Sequence, residues 1–423
     1  MALILSAPAS LADSAPTIVE RAIASADGRS AYTFDASAYR ADLKQLPIGV
    51  FDSGIGGLTV LEAILGLDAF DNDTLRPGPD GRRDFESERF IYFGDQANMP
   101  YGNYPSAGKA DYLRELILKD AIFLLGKRAW AADASAPHFE KPPVKAIVIA
   151  CNTATAYGLE DIRAAVQRWQ IPVIVIGVVE AGARGVSEAI RDGQKESVAV
   201  LATVGTCNAN AYPKAIGRVV GLAGKTVPKV VQQGCVSLAG AIEGDPAYLP
   251  AGRSVASIVH DEVSALVETY RKDGGGPPIG RVVLGCTHFP LVQKEIASAF
   301  AELRESSPAN RELIAEHIDL VNPAELTAKE LFRSLASARL RLKQGETARL
   351  EHDAFFLSVP NPACPSVQLA ENGSLDTAYK YGRTPGHLDV EDTKNVPIQL
   401  STLPAASVRL IQEKLPEVAK RLK

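Results

Sequence analysis

Val144-Lys145-Ala146-Ile147-Val148-Ile149-Ala150-Cys151-Asn152-Thr153-Ala154-Thr155 is a short β-branched run that ends abruptly in a cysteine. The small polar residues after it suit a helix N-terminus. Arg281-Val282-Val283-Leu284-Gly285-Cys286-Thr287-His288-Phe289-Pro290 repeats the design far downstream. Again an apolar strand delivers one cysteine to its carboxyl end, with a hydroxyl residue next. In open α/β sheets ligands bind outside the carboxyl ends of strands, so both thiols stand where chemistry usually sits. Two thiols facing one pocket would make a symmetric acid/base pair.

Working outward, strands and helices alternate. Leu46 to Asp52 reads as a strand ending in an aspartate, followed by Ser53-Gly54-Ile55-Gly56-Gly57-Leu58 and a helix to about Leu65. The glycines do not make a dinucleotide fingerprint, because the third glycine of G-x-G-x-x-G falls on Thr59. Phe90–Asp95 is the next strand and leads into the turn-rich Gln96–Gly102. A helix spans about Lys109 to Leu125, with Leu113, Leu116, Ile117 and Leu124 at helical spacing. A helix follows Cys151 to about Trp169, then a strand Pro172–Gly177 and a helix opened by Glu180. Ser197–Ala202 starts a second, similar unit, with a weaker strand at Lys229–Gln233 and a helix from Val255 to Lys272. After Cys286 come a helix Leu291–Leu303, a strand His317–Asn322, a helix from Pro323 to about Leu340, and a last short strand Phe355–Ser358.

This alternation predicts an α/β fold of parallel sheets flanked by helices. Residues 1–46 read as an extension with a helix near Ile18–Ala24, 66–88 and 129–143 as inserted surface loops, and 360–405 as an irregular tail. The expected domains are 47–180 plus 300–358, and 181–299, with extensions at 1–46 and 359–423.

The totals narrow the class. The chain has 423 residues, enough for two or three cores, and 46% hydrophobic with 22% charged residues is ordinary for a globular protein. A net charge of −5 argues against a nucleic-acid surface, and no apolar run reaches the ~20 residues of a membrane span. Five dispersed cysteines without a C-x-x-C pair argue against a disulfide framework or structural zinc. Reduced thiols favour a cytoplasmic setting. The apolar opening Met1–Ala7 has a faint secretory look but lacks a basic start.

The motifs together are specific. In order they are Asp52–Leu58, Gly94-Asp95 with Pro100-Tyr101-Gly102, Cys151-Asn152-Thr153-Ala154, Glu180-Ala181-Gly182-Ala183, Thr203-Val204-Gly205-Thr206 and Gly285–Leu291. This series resembles that of the glutamate racemase family, in the aspartate/glutamate racemase superfamily, over about residues 47–358. The resemblance implies two pseudo-symmetric α/β domains with an amino-acid substrate in the cleft between them. It implies an isomerase that uses no cofactor and no metal, and it allows a homodimer. One thiolate would remove the Cα proton and the opposite thiol return one to the other face, which is what inversion requires. By position, Cys151 and Cys286 are the acid/base pair, with Asp52 beside the first and His288 and Glu243 beside the second. Asp52, Ser53, Pro100, Tyr101, Gly102, Asn152, Thr153, Thr203, Thr206, Thr287 and His288 would bind the substrate. D-glutamate for peptidoglycan is the implied product.

Three departures from the family pattern bear on the substrate. Gln96-Ala97-Asn98-Met99 replaces a threonine-alanine-arginine run, Cys235-Val236 stands for cysteine-proline, and Glu180-Ala181-Gly182 for glutamate-proline-glycine. Racemisation of another acidic or modified amino acid such as aspartate is therefore an alternative. A racemase-fold binding or regulatory protein acting through its extensions is a second one. The bland readings are kept for Cys207, Cys235 and Cys364 as packed small hydrophobes. Asp52 could cap its helix, Met99 and Tyr101 could be cavity wall, and Cys286-x-His288 alone is poor evidence for a metal.

Overall fold

The computed structural model describes residues 18–23, 30–191, 195–386 and 388–422. Ten strands are described: β1 Ile48–Asp52, β2 Phe90–Gly94, β3 Ala146–Ile149, β4 Ile174–Gly177, β5 Ser197–Ala202, β6 Val230–Gly234, β7 Ile279–Gly285, β8 Ile314–Val321, β9 Ala354–Pro360 and β10 Thr393–Pro397. They form two sheets, in the orders β10-β9-β2-β1-β3-β4 and β6-β5-β7-β8. All pairings are parallel except β9 with β10. β1, β2, β3, β5 and β7 are buried along their whole length. Helices cover both faces of parallel sheets, so such strands are near-continuous apolar runs rather than alternating ones. Each fully buried Val or Ile contributes roughly 1.5–3 kcal/mol relative to exposure.

Register decides what emerges where. Phe51 pairs with Ile149 on one side and Asp52 with Gly94 on the other. Asp52 and Cys151 therefore leave the first sheet side by side. In the second sheet Ala202 pairs with Gly285, so Thr203 and Cys286 leave side by side as well.

Several expectations need correction. The segment 314–321, assigned to the first domain, is β8 and pairs with β7 in the second sheet. Phe355–Ser358 lies within β9 but is not the last strand. β10 follows it, and residues 360–405 also contain the helix Thr377–Gly382. The chain ends in two helices, Ala405–Lys414 and Pro416–Arg421, whose Leu410, Ile411 and Val418 pack into the first core. The 66–88 insertion is not merely surface. Phe70 stacks on Phe332 with ring centroids 4.2 Å apart, and Phe85, Asp84 and Glu88 are buried. In 129–143, Ala129, Trp130 and Lys141 are buried.

The front segment is docked where it is described. The helix Ile18–Ile23 buries Ile18 and Ala22, and Arg21 pairs with Glu115. The Tyr39 hydroxyl donates to the Leu125 carbonyl at 3.1 Å. Ala24, expected in that helix, lies outside the described residues. Among the described residues no helix is long and apolar enough to cross a membrane.

Candidate active site

The carboxyl ends of the two sheets face one cavity of about 80 Å³. Asp52, Ser53, Pro100, Tyr101, Gly102, Cys151, Asn152, Thr153, Thr203, Cys286, Thr287 and His288 all line it. Met99 and Ala239 line it too. Ala239 was not foreseen, because an alanine in a short helix carries no chemical signal. Met99 stands as wall.

Cys151 caps the helix Asn152–Arg168. Its sulfur accepts from the Ala154 N–H at 3.3 Å, and its thiol points to Ser53 Oγ at 3.8 Å. Burial, and then the Asp52 carboxylate, push the thiol well above the usual range. Asp52 is itself raised by burial, against the pull of His288 and the Gly57 N–H. That N–H donates to Asp52 Oδ2 at 2.7 Å, so Asp52 tethers the residue that precedes the helix Leu58–Gly66 while standing in the cavity.

Cys286 has a different neighbour. Its sulfur lies 3.7 Å from His288 Nδ1, and His288 Nε2 lies 2.7 Å from Glu243 Oε1. Burial works to lower the imidazole's pKa. The Glu243 carboxylate and Cys286 outweigh that and hold it well above 6.5. Glu243 thus acts on the cavity through His288 and is not in its lining. Gly56 packs against the same ring, where an added Cβ would come within 2.2 Å of His288 Cε1.

The sign of the His288 linkage follows from that raised value. A proton held more tightly in the folded state stabilises fully below the unfolded value near 6.5 and is lost as pH rises through the folded value. Urea unfolding of the parent should therefore weaken from about pH 7 upward. In His288→Asn that part of the decline should vanish. Parallel pH curves for the two proteins would show that the pair carries no such linkage.

Three threonine hydroxyls are linked at the cavity wall. Thr203 Oγ1 lies 3.0 Å from Thr153 Oγ1 and 2.9 Å from Thr206 Oγ1. Thr206, expected to touch substrate, is fully buried behind this pair and absent from the lining. Asn152 Oδ1 accepts from the Tyr212 hydroxyl at 2.7 Å, which orients its amide. Tyr101 lines the cavity with its hydroxyl engaged elsewhere. Its hydroxyl lies 2.6 Å from both Asp95 Oδ2 and Asp120 Oδ2, so it serves those carboxylates and not the cavity. One phenolic proton cannot be given twice, so one carboxylate of the pair holds a proton. Burial, and then Asp95, raise Asp120 well above the carboxylate range.

Thr59, the residue that broke the dinucleotide fingerprint, bridges the two halves. Its hydroxyl lies 2.7 Å from the Thr287 carbonyl and 2.9 Å from the Gly56 carbonyl. Gly205 and Gly102 meet on the opposite side, where a Cβ on Gly205 would sit 2.8 Å from Gly102 Cα.

Residues 118–330 match the family model described as Asp/Glu/Hydantoin racemase. A glutamate racemase of Geobacter metallireducens is 30% identical over 316 residues, covering 74% of this chain and 88% of the relative. One from Limosilactobacillus fermentum is 29% identical over 329 residues, 78% of this chain and 88% of the relative. Among solved structures, the glutamate racemase isoform RacE1 from Bacillus anthracis is similar with a TM-score of 0.50 and 27% identity, over 74% of this chain and 89% of that one. The chain therefore belongs to the Asp/Glu/hydantoin racemase family, among its glutamate racemases, and is an isomerase.

Proposed function

We propose that the protein interconverts L- and D-glutamate by two-thiol acid/base chemistry. The observation that carries this reading is the delivery of Cys151 from the first sheet and Cys286 from the second to one cavity, each with its own proton-handling neighbour. With Cys151 held as a thiol by burial and Asp52, Cys151 enters the cycle as the acid. Cys286, whose sulfur lies 3.7 Å from His288 Nδ1, enters as the base. The Cys286 thiolate takes the Cα proton from one face, and Cys151 gives its proton to the opposite face. One C–H bond breaks and another forms, and the thiols exchange protonation states. The developing carbanion needs both substrate carboxylates and the ammonium fixed. The Thr287 and Thr203 hydroxyls, the Asn152 amide and the backbone N–H groups at the start of the helix Asn152–Arg168 suit that task. Product D-glutamate would serve peptidoglycan synthesis.

The test is proton NMR of the purified chain with D-glutamate in deuterated water and no added cofactor. Loss of the Cα proton signal with appearance of L-glutamate is the expected result. Absence of exchange with either glutamate enantiomer would end the reading. Exchange with D-aspartate instead would favour the alternative substrate, for which Met99 in the cavity wall is the motivating observation.

A further inference from the structure

The cavity-lining loop Met99–Gly102 is gripped from outside by residues of the C-terminal segment. Lys380 Nζ donates to the Met99 carbonyl at 2.8 Å. Three residues on along the same helix-and-turn, Arg383 reaches both ends of the loop. Its Nη2 donates to Asn98 Oδ1 at 2.5 Å and to the Tyr104 hydroxyl at 3.0 Å. Its Nη1 pairs with Asp392, and its plane lies over the Tyr112 ring at 4.7 Å. Tyr381 meets Tyr104 edge-on, with centroids 4.9 Å apart. The Arg383 side chain is 9% exposed and that of Asp392 2%.

Long cationic side chains do not order themselves this way without compensation, since burying an arginine costs rotamer freedom and hydration. Here a planar donor fork is used on two acceptors of the loop at once, with a buried carboxylate behind it. The inner side of the loop is fixed separately, by Asn98 Nδ2 on Asp95 Oδ1 at 2.9 Å and the Ala97 N–H on Ser358 Oγ at 2.9 Å. The C-terminal segment therefore completes the wall of a cavity that it does not itself line.

We propose that Arg383 and Lys380 are positioning residues, which hold the loop Asn98–Tyr104 in its binding-competent form and so set the affinity of the cavity for its amino-acid substrate. This rests on the reading of the cavity as the glutamate site. A loop that is competent only part of the time weakens apparent binding by the competent fraction. Releasing the clamp should therefore raise KM while leaving kcat nearly unchanged.

The test compares the full chain with its Arg383→Lys and Lys380→Met variants. R383K keeps a charge for Asp392 but replaces the fork by a point donor. Amide hydrogen exchange in the peptide spanning residues 95–104 should quicken about tenfold in R383K and less in K380M, with β5 to β8 unchanged. KM for glutamate in the Cα-proton assay should rise about tenfold in R383K, with kcat within about twofold. Unchanged exchange in that peptide, exchange quickened throughout the chain, or an unmoved KM would each overturn the proposal. Should R383K not fold, K380M decides, because it removes one contact to a carbonyl and no ion pair. Should glutamate prove not to be the substrate, the hydrogen-exchange readout still decides whether the clamp exists, so the two failures remain distinct.

Discussion

Cys151→Ala and Cys286→Ala should each reduce racemisation by about 10³-fold, within the range of a lost general acid or base. The partial reactions are more informative than the overall loss. Racemisation needs a base on one face and an acid on the other, but exchange of the Cα proton with solvent needs only one group that removes and returns a proton. Each single variant should therefore exchange deuterium into one enantiomer of glutamate and not into the other, and the two variants should show opposite preferences. Both cysteines are nearly fully buried, at 6% and 5% exposure, and alanine leaves the surrounding strands intact. Loss of activity should come with only a modest fall in unfolding midpoint, larger in Cys151→Ala, which loses the sulfur that caps the helix Asn152–Arg168. Chiral chromatography of the product and deuterium incorporation by NMR check both parts. Full racemisation by either variant, or the same enantiomer preference in both, would sink the two-thiol mechanism.

What was legible in the sequence follows from how parallel sheets are buried. β1, β2, β3, β5 and β7 are buried on both faces, so Ile147–Ile149 or Val282–Leu284 stands out without any periodicity. Cysteines at the ends of two such strands were visible for the same reason. β10 was not, because an antiparallel edge strand reading Thr-Lys-Asn-Val-Pro is paired on one side only and carries no apolar signal. The bond of the Tyr101 hydroxyl to Asp120, nineteen residues on and in a different element, is reported by no local pattern. Thr206 lies one hydrogen bond behind the cavity wall, a distance of about one side chain that spacing alone does not resolve. Arg383 was read as part of an irregular tail because its partners, Asn98 and Tyr104, are some 280 residues earlier.

The same limit applies to Lys145, a charged residue at the start of the apolar run that ends in Cys151, which is completely buried. Its Nζ contacts Glu88 Oε2 at 2.6 Å, the Lys44 carbonyl at 2.7 Å and the Leu340 carbonyl at 2.9 Å. Glu88 Oε1 in turn accepts from the Leu342 N–H at 2.8 Å. One ion pair therefore ties the front segment, the end of the 66–88 insertion and the 340–342 turn to the strand that carries Cys151. Lys145→Met strands a carboxylate in the core, which costs about 3–5 kcal/mol, a large share of the roughly 5–15 kcal/mol that keeps a domain folded. Glu88→Gln should cost less. Burial already lowers the Lys145 pKa against the pull of Glu88, so a lysine left alone can shed its proton and keep its two carbonyl bonds. Combining Lys145→Met with Glu88→Gln should recover much of the loss, because no charge is then left buried. Urea unfolding of the three variants measures this order directly. A Lys145→Met protein within about 1 kcal/mol of the parent would mean that water reaches Glu88 and that the insertion is not tied to the Cys151 strand by this pair.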